Sequence, residues 1–237
     1  MSAKSSIRLK LLLSALFLTT VCASPAFAQW HFHGSVGGDI NFMLSNMKTV
    51  QDYNIRPGGG FMASIGFEGE FNKHWSFCPE INYIQKNYSI ERGGAYSAYC
   101  TKYVNSYLDF PLNFRLSFGL GHFKNRTSLQ GFVNLGPYLG CWLASVRKGV
   151  DQTLASDLSV TSIPYHDFSA IDKDNDHRFD VGACLGLGLK YNVSKLAGVT
   201  FEVRDYLSFL SMHKKYDEGL YDRHNTLSII IGACINL

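Results

Sequence analysis

The chain of 237 residues carries 22 Lys and Arg against 19 Asp and Glu, for a formal net charge of +3. Lys4, Arg8 and Lys10 supply that surplus at the extreme N-terminus, so the rest of the chain is balanced and gives no reason to expect nucleic acid as a partner. The abundance of aromatic residues (17 Phe, 13 Tyr) and the 22 Gly point to β structure with tight turns and packed rings.

The basic start runs into an apolar stretch at 11–21 and then Ala26-Phe27-Ala28, the parts of a secretory signal peptide cleaved before Gln29. That stretch is too short for a membrane-spanning helix, which needs about 20 apolar residues. Cys22 stands in a poor lipoprotein context, with the A-x-A site downstream of it. The expected organisation is therefore a signal peptide at 1–28 and one β domain at 29–237.

From there the chain alternates apolar and polar residues with period two, the pattern of a strand. Eight strands are predicted, at 32–44, 59–71, 74–88, 107–118, 128–146, 178–192, 198–210 and 226–237. The fourth reads Y-L-D-F-P-L-N-F-R-L-S-F. It sets Leu108, Phe110, Leu112, Phe114, Leu116 and Phe118 against Tyr107, Asp109, Pro111, Asn113, Arg115 and Ser117. Asp205 breaks the apolar face of the seventh strand, consistent with a rim position. Short turns alternate with longer polar loops at 45–57, 89–101, 148–176 and 211–222. In an up-and-down meander all short turns then fall at one end, as in outer-membrane barrels.

Alternation alone does not say which face is inside. A soluble periplasmic lipocalin-like binding barrel has the same strand count with the opposite polarity. Two features favour the membrane form. The apolar faces are almost free of charge, and the other faces mix charges with Gly, Ser, Asn and Cys, which suits a narrow interior. The predicted fold is an all-β, eight-stranded antiparallel up-and-down transmembrane β-barrel.

Three runs then carry a resemblance: Y-L-D-F-P-L at 107–112, G-P-Y at 136–138 and F-E-V-R-D-Y-L at 201–207. With the glycine-alternating D-V-G-A-C-L-G-L-G-L-K-Y at 180–191, the sequence resembles the PorT-like outer-membrane β-barrel proteins. The resemblance implies an eight-stranded outer-membrane barrel. It implies no defined activity for most members and a secretion-assisting role for the founding type.

For function, the polar faces predict an interior network of Asp39, Glu68, Glu70, Glu80, Asp109, Asp180 and Glu202 with Lys86, Arg115, Lys190 and Arg204. Buried ions of this kind have to pair. Tyr138, Trp142 and Tyr206 add bulk, so the interior is expected to be closed. Tyr165, His166, Asp167 and Phe168 form a candidate contact patch in the longest loop. Outer-membrane lipid, lipopolysaccharide or a protein are the expected partners, with no cofactor and no catalysis.

Other chemistry is weakly signalled. Asp172, Asp174 and Asp176 have calcium-loop spacing, but His177 replaces the turn glycine and Ala183 stands at the bidentate Glu position. His31 and His33 suggest either a metal pair or a frayed end. His166, His213 and His224 with Asp167 and Asp222 leave an outer-membrane hydrolase as the alternative, although no G-x-S-x-G frame accompanies them. Cys78, Cys100, Cys141, Cys184 and Cys234 are odd in number and widely spaced, so neither a disulfide framework nor a zinc site is indicated.

Overall fold

The computed structural model describes residues 29–45, 54–94, 97–123, 127–151, 161–168, 177–194, 196–212 and 221–236. The strands in chain order are β1 (Gln29–Ser45), β2 (Asn54–Glu70), β3 (Trp75–Gln85), β4 (Tyr88–Gly94) and β5 (Ser97–Phe123). They continue with β6 (Thr127–Asp151), β7 (Thr161–Phe168), β8 (Phe179–Asn192), β9 (Ala197–Ser208) and β10 (Asp222–Asn236). All pairings are antiparallel, and the ring β1-β2-β3-β5-β6-β8-β9-β10 closes on β1 as an eight-stranded barrel.

The stagger of the ring follows from its cross-strand partners. From Asp180 the pairs run through Gly140, Asp109, Asn82, Ser64, Ser35, Gly232 and Thr200, and return to β8 at Lys190, ten residues along. With about 3.3 Å of rise per residue and about 4.8 Å between strands, that offset over eight strands tilts them by about 40°. An interior of this size is just wide enough to be filled by side chains.

The two faces sort as the alternation requires. Leu187, Ile231, Leu135, Phe114 and Leu112 point outward, with 60, 58, 57, 50 and 42% of their surface accessible. Inward stand Asp109, Asn113, Arg115, Glu80 and Arg204, all buried. This is the reverse of a water-soluble barrel and excludes the lipocalin-like arrangement.

Two predicted loops hold strands that the alternation does not predict. The stretch at 89–101 holds most of β4 and the start of β5, which pair with each other from Tyr88↔Tyr103 to Gly94↔Ser97. The stretch at 148–176 holds the end of β6 and all of β7, so Tyr165, His166, Asp167 and Phe168 sit on a strand paired to 145–147 and not on a loop. Strands standing in water need no continuous apolar face, which is why their composition reads as loop. Together with the start of β2, which pairs with β4, they raise one wall above the rest of the ring.

Between β3 and β4, Lys86, Asn87 and Tyr88 are consecutively buried, a break in the alternation. Asn87 repairs the ladder there. Its Nδ2 donates to the Gly59 carbonyl at 2.8 Å, and its Oδ1 accepts from the Asn105 amide at 3.1 Å. Gly58 has to lack a side chain, since a Cβ would lie 2.6 Å from the Asn87 carbonyl carbon.

The predicted signal peptide, Asp172, Asp174, Asp176 and His213 lie outside the described residues. The chain is not frayed at His31 and His33, because β1 is paired on both sides there. Among the described residues no helix is long and apolar enough to cross a membrane, which has no bearing on a barrel that crosses with strands.

Candidate functional site in the barrel lumen

The inward parity of each strand delivers four cations to the lumen at three depths. Nearest the short turns, Arg115 Nη1 donates to Glu68 Oε2 at 2.7 Å and its Nε to Asn134 Oδ1 at 2.9 Å. Ser76 donates to Glu68 Oε1 at 2.7 Å, and Lys190 Nζ stands 3.9 Å from Glu68 Oε2. The Arg115 guanidinium also lies over the Phe132 ring, 4.3 Å from its centroid.

In the middle tier Arg204 is shared by two carboxylates. Its Nη1 and Nη2 donate to Glu80 at 2.6 and 3.0 Å. Its Nε and Nη2 donate to Glu202 at 2.7 and 2.9 Å. Asn134 Nδ2 bonds Glu202 at 2.9 Å, so Asn134 ties this tier to Arg115 below, and Asn113 Nδ2 adds a bond to Glu80 at 3.2 Å. Fork-to-carboxylate geometry is the strong form of such contacts.

The upper tier centres on Lys86, which keeps the inward parity of Glu80, Asn82 and Ile84 just where the alternation breaks after β3. Its Nζ lies 2.7 Å from Asp180 Oδ2 and 3.0 Å from Asp109 Oδ2, with the rings of Tyr107 and Tyr138 at 4.6 and 4.8 Å. Tyr138 and Ser208 donate to Asp180 at 3.0 and 2.5 Å. Above them Asn41 Nδ2 approaches His224 Nδ1 at 3.0 Å, and Thr226 donates to Asn41 Oδ1 at 2.7 Å. Tyr107 stacks on Trp142, centroids 5.9 Å apart.

Of the remaining expected members, Glu70 is half-buried at the short-turn end and meets His31 Nε2 at 2.9 Å. Asp39 is buried beside Gly60 and has no cation within ion-pair distance among the described residues. The charges alone understate the network, because Asn113, Asn134, Ser76 and Ser208 bridge it. Met62, Ile84, Phe132 and Ile230 are also inside. All eight share the parity of the charged positions, and that parity was the available signal.

Catalytic alternatives find little geometry here. Ser208 and His224 border one cavity of about 10 Å³, room for about one water. The Ser208 hydroxyl, however, donates its hydrogen bond to Asp180, while His224 Nε2 faces the Tyr107 hydroxyl at 3.4 Å. Asp222 accepts from the Met212 amide at 3.0 Å. His31 and His33 turn to different acids, Glu70 and Glu80, and no metal-binding cluster occurs among the described residues. Cys78, Cys141, Cys184 and Cys234 are free thiols, and Cys184 donates to Asn113 Oδ1 at 2.9 Å.

Comparison with known proteins places this architecture. Residues 24–214 match the family model described as outer membrane protein beta-barrel domain. No curated protein matches the chain. The outer membrane protein OprG from Pseudomonas aeruginosa is similar in structure, with 12% identity, a TM-score of 0.46, and coverage of 88% of this chain and 95% of that one. Neisserial surface protein A follows with 10% identity, a TM-score of 0.37, and coverage of 87 and 97%. The attachment invasion locus protein Ail of Yersinia pestis has 11% identity, a TM-score of 0.35, and coverage of 88 and 99%.

Proposed function

The chain belongs to the outer membrane protein β-barrel domain family, and from that footing we propose that it is a closed, non-catalytic scaffold holding a binding surface at the outer face of the membrane. The observation that carries this reading is Arg204, clamped between Glu80 of β3 and Glu202 of its own strand at mid-depth of the lumen. With Arg115–Glu68 below and Lys86–Asp180 above, side chains from across the ring meet on the barrel axis. A conducting path would have to separate ions that cost several kcal/mol each when left unpaired.

Binding then falls to the outer end. The raised wall of β4, β7 and the upper parts of β2, β5 and β6 offers a protein partner a surface that ordinary loops would not hold in place. Outer-membrane lipid and lipopolysaccharide surround the apolar band. Planar-bilayer recording on the purified barrel tests the closed lumen. The wild type is expected to show no steady single-channel conductance, and Arg204→Ala or Arg115→Ala is expected to introduce it. Steady conductance in the wild type would overturn the reading.

A further inference from the structure

The lipid-facing surface is interrupted on β9 by Asp205. Its side chain points outward between Val203 and Leu207, and across the sheet it faces Leu185 on β8 and Leu227 on β10. All four neighbours are apolar. A carboxylate in such a setting is disfavoured unless something in the membrane answers it. Its one partner among the described residues is Asn225, whose Nδ2 donates to Asp205 Oδ2 at 3.4 Å, a long bond that leaves the other carboxylate oxygen open. Two residues further toward the outer end, Arg223 is exposed on the same face with its guanidinium 5.3 Å from the Tyr221 ring centroid. Among the described residues no acid pairs with it.

These groups form a ladder of fixed polarity. At about 2.5 Å of depth per residue in strands tilted by about 40°, and with the descent from β10 to β9, Asn225 lies roughly 5 Å and Asp205 roughly 13 Å below Arg223. The order is cation at the surface, amide below it, acid within the apolar band. We propose that this strip of β9 and β10 is a binding site for a phosphorylated outer-leaflet glycolipid with amide-linked, hydroxylated acyl chains. Such a lipid presents the complementary order: phosphate at the surface, N–H and O–H groups where the chains begin, and hydrocarbon beneath. Arg223 takes the phosphate, supported by Tyr221. The oxygens of Asn225 and Asp205 accept from the amide and hydroxyl groups, which supply the donor that the second carboxylate oxygen otherwise lacks. Leu185 and Leu227 flank the chains.

The site rests on the outer-membrane location and not on the closed lumen, so a conducting barrel would leave it standing. The test uses the full chain folded into phosphatidylcholine vesicles doped with lipopolysaccharide, either phosphorylated or phosphatase-treated. Native mass spectrometry after detergent extraction reads the glycolipid retained per barrel. The wild type is expected to keep the phosphorylated form. Asp205→Leu and Arg223→Gln are each expected to weaken retention about tenfold, the scale of a lost hydrogen bond to a charged group. Arg223→Gln also removes the preference for the phosphorylated form, and Leu139→Ala, outward on β6, changes nothing. Asp205→Leu places an apolar group against lipid and is expected to fold at least as well as the wild type, so it decides the matter even if Arg223→Gln inserts poorly. Equal retention by wild type and Asp205→Leu overturns the proposal. So does loss of a co-purifying protein in Asp205→Leu with glycolipid unchanged, which would assign the strip to a protein partner.

Discussion

Arg204 shows what one residue contributes to this barrel. Its guanidinium neutralises two carboxylates that lie on β3 and β9, and neither acid has another cation as close. Arg204→Ala leaves Glu80 and Glu202 buried and mutually repelling. The expected loss is about 3–5 kcal/mol, the usual cost of breaking a buried pair from one side. Urea titration of the barrel in lipid, followed by tryptophan fluorescence, measures it. Lys190→Ala is expected to cost less in the same titration, because Arg115 already holds Glu68 at 2.7 Å while Lys190 stands at 3.9 Å. The sequence foretold that such cations would need acids. It did not tell which acids, because a period of two assigns a face and leaves the partner strand and the register open.

At the scale of the element, β8 carries both faces of the design. Outward, Leu187 sits near mid-depth and Phe179 at the outer end. Leu187→Arg is expected to cost about 2–4 kcal/mol, and Phe179→Arg about 0–1, following the depth dependence of charge on a lipid face. Refolding equilibria into vesicles read both, and equal costs would mean that the depth assignment is wrong. Inward, Gly182, Gly186 and Gly188 are seats for other strands' side chains: a Cβ there would collide with Tyr138, with the Glu202 carboxylate and with the Phe132 ring, respectively. Gly188→Val is expected to destabilise by about 1–3 kcal/mol through overpacking against Phe132, measured in the same assay. The glycine alternation was legible as a feature of a narrow lumen, but its occupants were not, since they come from β6 and β9. The elements missed outright, β4 and β7, stand on the raised wall. Lipid imposes no apolar face there, and polar residues such as Ser89, Glu91, Thr161 and Ser162 resemble a loop.

For the whole molecule, closure and orientation were readable because eight apolar faces repeat with almost no charge, and Asp205 was readable only as an exception. The ten-residue stagger was not, since it is a property of the ring and of no single strand. That stagger and the ion tiers together bear on the order in which the barrel assembles. Arg115 and Glu68 are 47 residues apart, Lys86 and Asp180 94, and Arg204 and Glu80 124. The Arg115–Glu68 pair can therefore form within the first half of the chain, whereas Arg204–Glu80 and Lys86–Asp180 need late strands to reach early ones. A partly inserted sheet of β1 to β6 would carry Glu80, Lys86 and Asp109 toward the bilayer without their full sets of counter-charges. Such an intermediate is strongly disfavoured in hydrocarbon, so insertion and closure become a single cooperative event whose barrier reflects long-range pairing and not the propensity of any one hairpin.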